Sequence, residues 1–195
     1  MKSDHLKSDH PTRAKILRAT KDLLWERGFD AMSPRDVMAR SGAGQGSLYH
    51  HFAGKLDLAC AALAEMAAEE KASIESIFAP EKPPLQRIED YLARERDALR
   101  GCRMARLANE MAMAEPEFRL SIADFLQRIE DFLALALREA RRSGAIAADA
   151  DDRALAALFL SAVEGGFVLA RAHWDPERMT RALDGARQVL NVLRK

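Results

Sequence analysis

The sequence predicts an all-α protein of about nine helices, and three observations lead there. Strand signals are almost absent: β-branched residues are sparse, while Ala, Leu, Arg and Glu dominate. Apolar residues recur at the three- and four-residue spacing of a helix face. Gly, Pro and Ser/Thr punctuate the chain where helices should start and stop. At 195 residues and 48% hydrophobic, the chain can bury a substantial core and suits one large domain, or a small domain on a larger one.

Residues 1–11 read as a disordered polar tail carrying the near-repeat KSDHLKSDH. Thr12 can cap the first helix, whose stripe is Ile16, Leu17, Leu23 and Leu24. Gly28 ends it, and Phe29 can pack back on the helix end. Ser33-Pro34 starts a second helix, with Asp36 suited to the dipole in its first turn. Gly42 closes that helix after about two turns. A short third helix covers 45–52 and a fourth 55–78, before the break APEKPP at 79–84. Further helices are expected at 85–100, 104–114, 115–142, 151–173 and 176–194.

Net charge is zero, but unevenly placed: residues 1–55 carry 10 Lys/Arg against 6 Asp/Glu, so the N-terminal part alone suits a polyanion. Two cysteines, Cys60 and Cys102, are too few for a disulfide framework. The N-terminus lacks an apolar signal core, and no apolar run approaches the ~20 residues of a membrane span, so the expectation is a cytoplasmic protein with no membrane partner. No metal or cofactor motif occurs; His50 and His51 are adjacent and diverge by about 100° on a helix. Nor is there an H-E-x-x-H, G-x-S-x-G, phosphate-loop or Rossmann pattern, so the chain reads as no enzyme.

Residues 28–58 hold two short helices joined by a glycine-containing turn, a helix-turn-helix. A reading helix must be short and protrude to enter a major groove about 12 Å wide. The glycines at 42, 44 and 46 keep the turn tight and clear the start of the third helix. Leu48 and Phe52 can pack inward. Ser33, Arg35, Gln45, Gly46, Ser47, Tyr49, His50 and Lys55 are the candidate DNA contacts, Lys55 to phosphate. Residues 16–58 resemble the DNA-binding domain of the TetR family of bacterial transcriptional regulators. The resemblance rests on Gly28-Phe29, Ser33, Gly42, Gly46-Ser47-Leu48-Tyr49, His51-Phe52, Lys55 and Leu58. Three positions depart from the family pattern. Gly44 stands where Ser often caps the reading helix, Gln45 where Lys is common, and Leu56 where Glu usually follows the lysine. Gln45 exchanges a phosphate-seeking charge for an amide able to read adenine.

The resemblance implies a helix-turn-helix domain at 12–55 and a helical ligand-binding and dimerisation domain at 56–195. It also implies a homodimer on a palindromic double-stranded operator, and repression relieved by a small-molecule or electrophile inducer. A constitutive DNA-binding protein without inducer is the first alternative, and an all-helical enzyme the second. Met66, Met104, Leu107, Met111, Phe125 and Phe167 are candidate pocket residues; methionine suits adaptable apolar sites. Asn109 and Glu110, polar in an apolar stretch, could orient a ligand or cap a neighbour. Phe159, Val163, Gly166, Phe167, Leu183, Val189 and Leu190 are candidate dimer-interface residues on the last two helices. The segment GCRMARLANE at 101–110 is similar to one in the subgroup that resembles the N-ethylmaleimide-reductase repressor. There Cys102, close in sequence to Arg100, Arg103 and Arg106, is a candidate redox sensor.

Overall fold

A computed structural model of the chain describes residues 5–147, 149 and 151–195, with side chains from Pro11 onward. Among the described residues the order is α1 (His5–Arg27), α2 (Pro34–Ser41), α3 (Gln45–His51), α4 (Lys55–Ile77), α5 (Pro84–Ala93), α6 (Pro116–Arg142), α7 (Asp152–His173) and α8 (Glu177–Leu193). Two 3-10 turns, Ala105–Asn109 and Met111–Ala114, lie between α5 and α6. A lone antiparallel bridge, Ile146 to Arg194, is the β feature among the described residues.

Three boundaries differ from the sequence expectation. Residues 1–4 of the expected tail lie outside the described residues, but α1 already runs from His5 and carries Pro11 inside it. Proline usually marks a helix start, which places the expected boundary behind it. α5 stops at Ala93 rather than near residue 100. Arg94 leaves the helix, and the Arg96 guanidinium accounts for the freed carbonyls, donating to Tyr91 O at 2.6 Å and Arg94 O at 2.7 Å. The expected helix over 104–114 is two 3-10 turns, because Glu110 between them is extended (φ −84, ψ 152).

The chain forms two compact units. The first takes the chain up to residue 68 together with 103–123. Its core joins Ile16, Leu17, Leu23 and Leu24 of α1, Val37 of α2, Leu48 of α3 and Leu58, Leu63 and Met66 of α4 to Met104, Leu107 and Phe118, all buried. Each such side chain contributes about 1.5–3 kcal/mol by leaving water. The buried hydroxyl of Thr20 is satisfied within α1, donating to Ile16 O at 2.8 Å.

The second unit comprises 69–102 and 124–195. Its core runs from Ile74, Ile88 and Leu92 through Leu133 and Leu137 to Phe159, Val163, Leu183 and Leu190. Buried Arg87 satisfies the loop before α5: it donates to Lys82 O (2.8 Å), Pro80 O (2.6 Å) and the Glu139 carboxylate (2.6 Å). Arg141 of α6 grips Asp152 of α7 through two bonds, at 3.0 and 2.8 Å.

α7 packs closely on α8. A methyl carbon at Gly166 would lie 2.5 Å from Met179 Sδ and 3.3 Å from Ala182 Cβ, so this contact needs a glycine or a shifted methionine. The packing corrects the dimer-interface assignment. Phe159, Val163, Gly166, Leu183 and Leu190 are buried inside the chain, and Phe167 and Val189 are partly buried against the same core. The outward apolar side chains of these helices are instead Leu158, Val168, Leu169 and Val192. α7 is apolar nearly all round, so spacing alone could not separate its two faces. By length and composition it could cross a membrane, although Asp152, Arg153, Glu164 and Arg171 interrupt its apolar run as the sequence reading has it. Its inward residues make it a helix of the second unit's core.

Candidate nucleic-acid interface

The motif at 28–58 is built by caps. Ser33, in extended conformation, is the N-cap of α2. Its Oγ accepts from Asp36 N–H at 3.2 Å, and the Asp36 carboxylate accepts from Ser33 N–H at 2.9 Å, a reciprocal capping box. The Ser33 hydroxyl also donates to that carboxylate. These bonds hold the Asp36 carboxyl below its usual range. The Ser33 side chain, a candidate DNA contact, is therefore engaged in shaping α2. Gly42 ends α2 in the left-handed region (φ 71), where glycine is at ease, and its N–H donates to Met38 O at 3.0 Å. Gly44 then enters α3 extended (φ −75, ψ 160) as its N-cap, with no side-chain cap bond.

α3 is a helix with two faces. Leu48 (0% exposed) and Phe52 (3%) anchor it in the first unit, and Arg13 lies 5.5 Å over the Phe52 ring. Gln45, Gly46, Ser47, Tyr49 and His50 face solvent, Tyr49 at 48%. Arg35 in the first turn of α2 is exposed as well. Lys55, partly buried at the start of α4, donates from Nζ to Asp30 O at 3.3 Å and lies 4.2 Å over the Phe29 ring. Its ammonium is thus held beside the motif by the α1–α2 turn. Nearby, Lys15, Arg18, Asp22, Arg40 and Ser41 line an open groove of about 180 Å³ along α1 and the end of α2. Among the described residues no group of His, Cys, Asp or Glu is arranged to hold a metal.

The helix dipole accounts for Asp36 only in part; its capping bond to Ser33 is the larger local role, and the S-x-x-D spacing is the signal for it. Asp57, whose carboxylate accepts from Ala53 N–H at 2.8 Å before α4, has no comparable signal.

The candidate pocket residues fall in both units: Met66, Met104 and Leu107 are buried in the core of the first, while Phe125 and Phe167 pack, partly buried, against the core of the second. Met111 is 82% exposed, so its side chain lines no cavity. Cys102 lies in the second unit near a polar group that sequence did not show: buried Tyr91 with partly buried Arg96 and Glu164. Burial pushes the Glu164 carboxyl up to about 7, against the pull of a hydrogen bond from the Cys102 thiol and of the Arg96 charge. Arg103, by contrast, turns its guanidinium over the Trp25 ring at 5.2 Å, within the first unit. The Cys102 thiol has the Glu164 carboxyl as a hydrogen-bond partner.

Comparison with known proteins agrees with this architecture. Residues 16–62 match the family model of bacterial regulatory proteins of the tetR family, and residues 85–186 match that of the tetracyclin repressor-like C-terminal domain. The transcriptional regulator AcuR of Cereibacter sphaeroides is 25% identical over 169 residues, covering 83% of this chain and 77% of that protein. Among solved structures, regulatory protein TetR from Rhodobacter sphaeroides is 25% identical with a TM-score of 0.76, covering 89% of this chain and 95% of that one. The reduced form of E. coli NemR shares the fold at 21% identity, with a TM-score of 0.77 over 92% of this chain and 96% of that one. With a family match over more than half its length, joined to a capped helix-turn-helix, the chain belongs to the TetR family of transcriptional regulators.

Proposed function

We propose that the protein is a repressor that binds a palindromic operator as a homodimer and is released when a small molecule binds its second unit. One observation carries the DNA-binding half: α3 is anchored by Leu48 and Phe52 while Gln45, Ser47, Tyr49 and His50 stay exposed, within reach of base edges and backbone. Tyr49 offers a ring to a thymine methyl or sugar and a hydroxyl to phosphate. Gln45 offers a bidentate amide to adenine. Arg35 and Lys55 supply charge to the backbone.

The dimer rests on the outward apolar side chains of α7 and α8. Leu158, Val168, Leu169 and Val192 expose surface that a second copy would cover, and two helices from each subunit make a four-helix interface. A two-fold dimer presents its reading helices to successive major grooves about 34–36 Å apart, hence a palindrome. An effector releases DNA only if it binds the non-binding arrangement more tightly. An electrophile acting at Cys102 is a second route; the resemblance of residues 101–110 supports it, while the Glu164 carboxyl bonded to the thiol disfavours the thiolate it needs. Under that route, N-ethylmaleimide abolishes DNA binding and Cys102→Ser prevents the loss; an identical response in the mutant ends it.

Gel-shift titration of the duplex adjoining the protein's own gene tests the DNA-binding half. Tyr49→Ala and Lys55→Ala should both weaken binding while the dimer stays folded. Lys55→Ala should also flatten the salt dependence by about one unit. Wild-type affinity in both mutants would defeat the assignment of α3 as the reading helix.

A further inference from the structure

Gly28 ends α1 in the left-handed region (φ 85), and the space where a side chain would stand is occupied. A methyl carbon at residue 28 would collide with Glu110 Oε1 and lie 2.9 Å from its Cδ. The backbone angle requires the glycine, and a side chain there would also displace the Glu110 carboxylate seated against it. From that seat Glu110 Oε2 accepts the Asp30 N–H at 3.0 Å. In return the Asp30 carboxylate accepts the Met111 N–H at 3.0 Å. The α1–α2 turn and the segment around residue 110 therefore exchange one hydrogen bond in each direction. Phe29, beside them in sequence, packs edge-on to Phe118 at 5.3 Å, and Lys55 Nζ binds the Asp30 carbonyl.

Two carboxylates drawn into one contact repel each other. Each is compensated here by a backbone N–H, and the Lys55 ammonium sits beside the turn. Glu110, whose side chain reaches back over Gly28, is extended and stands between the two 3-10 turns of 104–114. Met32 N–H donates to Phe29 O at 3.2 Å, and the capping box of α2 begins at the next residue. The geometry of residues 28–31 thereby sets how α2, and α3 behind it, leave the turn.

We propose that Glu110 is a positioning residue for DNA binding: seated over Gly28, it clasps the α1–α2 turn and fixes the presentation of the reading helix. This rests on the reading of α3 given above. The segment 103–123 leaves the second unit at Cys102 and returns to it at Asp124. The clasp therefore joins, within the first unit, a segment distant in sequence to the helix-turn-helix.

The sign of the effect separates the clasp from electrostatics. Glu110 adds negative charge to the unit that meets DNA, so Coulomb repulsion alone makes its removal strengthen binding. The clasp requires the opposite. Nor does Glu110 touch phosphate, so its loss should leave the salt slope intact, unlike loss of a phosphate-bound cation.

The test measures affinity of the full-length protein for the duplex adjoining its own gene, at several salt concentrations, with Tyr49→Ala in parallel. Glu110→Ala should weaken binding fivefold or more with unchanged salt slope. Glu110→Gln, which keeps an oxygen to accept the Asp30 N–H, should stay within twofold of wild type. Glu117→Ala, an exposed carboxylate on the first turn of α6, should not weaken it. Glu110→Ala binding as tightly as wild type or more so, a flattened slope, or an equal loss in Glu110→Gln would each overturn the clasp. Wild-type affinity in Tyr49→Ala would instead sink the reading-helix assignment on its own. Should Glu110→Ala lose its helical circular dichroism, hydrogen exchange on the wild type decides. The Asp30 and Met111 amides should be protected together with those of α2, and an unprotected Asp30 amide would overturn the proposal.

Discussion

Leu48 and Tyr49 are neighbours in sequence and opposites in exposure, 0% and 48%, and that contrast defines the solvent-facing side of α3. It is legible in the sequence because a seven-residue helix with two bulky apolar anchors leaves little freedom in which side faces out. The role of Glu110 is not legible there: the contact joins residues eighty apart, and no local spacing announces it. The polar group around Glu164 is hidden for the same reason. It carries a pH prediction. The Glu164 carboxyl titrates near 7 in the folded protein and near 4.3 when unfolded. Between those values the native state holds the extra proton, so stability falls as pH rises through the window. The groups facing it are Arg96, Cys102 and Tyr91. Asp36, Asp90, Asp131 and Asp152, with lowered values, act in the opposite sense and below about pH 4. Thermal midpoints at pH 5 and 7.5 should therefore converge between wild type and Glu164→Gln at the lower pH and favour the mutant at the higher. A constant difference across the window would contradict a neutral Glu164.

At the scale of elements, caps and breaks are readable from sequence and faces are not. Ser33, Gly42 and Gly44 mark α2 and α3 by short-range chemistry that any residue pattern carries. The stretch 104–114 reads as helix by propensity and folds otherwise, a tertiary override of a weak prior. In α7 the apolar content identifies a helix, but only the packing on α8 assigns Phe159 and Val163 to the core and Leu158 and Val168 to the outside. The adjacent glycines give this a direct test. Gly165 has open space where a methyl would go, so Gly165→Ala should stabilise by about 0.5–1 kcal/mol through helix propensity and unfolded-state entropy. At Gly166 a methyl would press on Met179 Sδ and Ala182 Cβ, so Gly166→Ala should be less stable than Gly165→Ala by about 1 kcal/mol or more. A Gly166→Ala denaturant midpoint equal to or above that of Gly165→Ala would contradict the close approach of α7 to α8.

For the whole molecule, the charge asymmetry and the glycine turn point to DNA through the residues alone, and the family match covers both the reading and the effector-binding regions. The composition of the reading face has its own consequence. Gln45 stands where the family commonly has a lysine, so under the proposed reading the balance of binding should shift from phosphate attraction toward base contacts. The measurement that bears most directly on the central claim is a hydroxyl-radical and guanine-methylation footprint of the full-length protein on the DNA adjoining its own gene. Two protected half-sites related by a two-fold axis, centred about 34–36 Å apart with contacts in the major groove, are expected for a dimer reading through α3. A single asymmetric protected site, or protection confined to the minor groove, would contradict it.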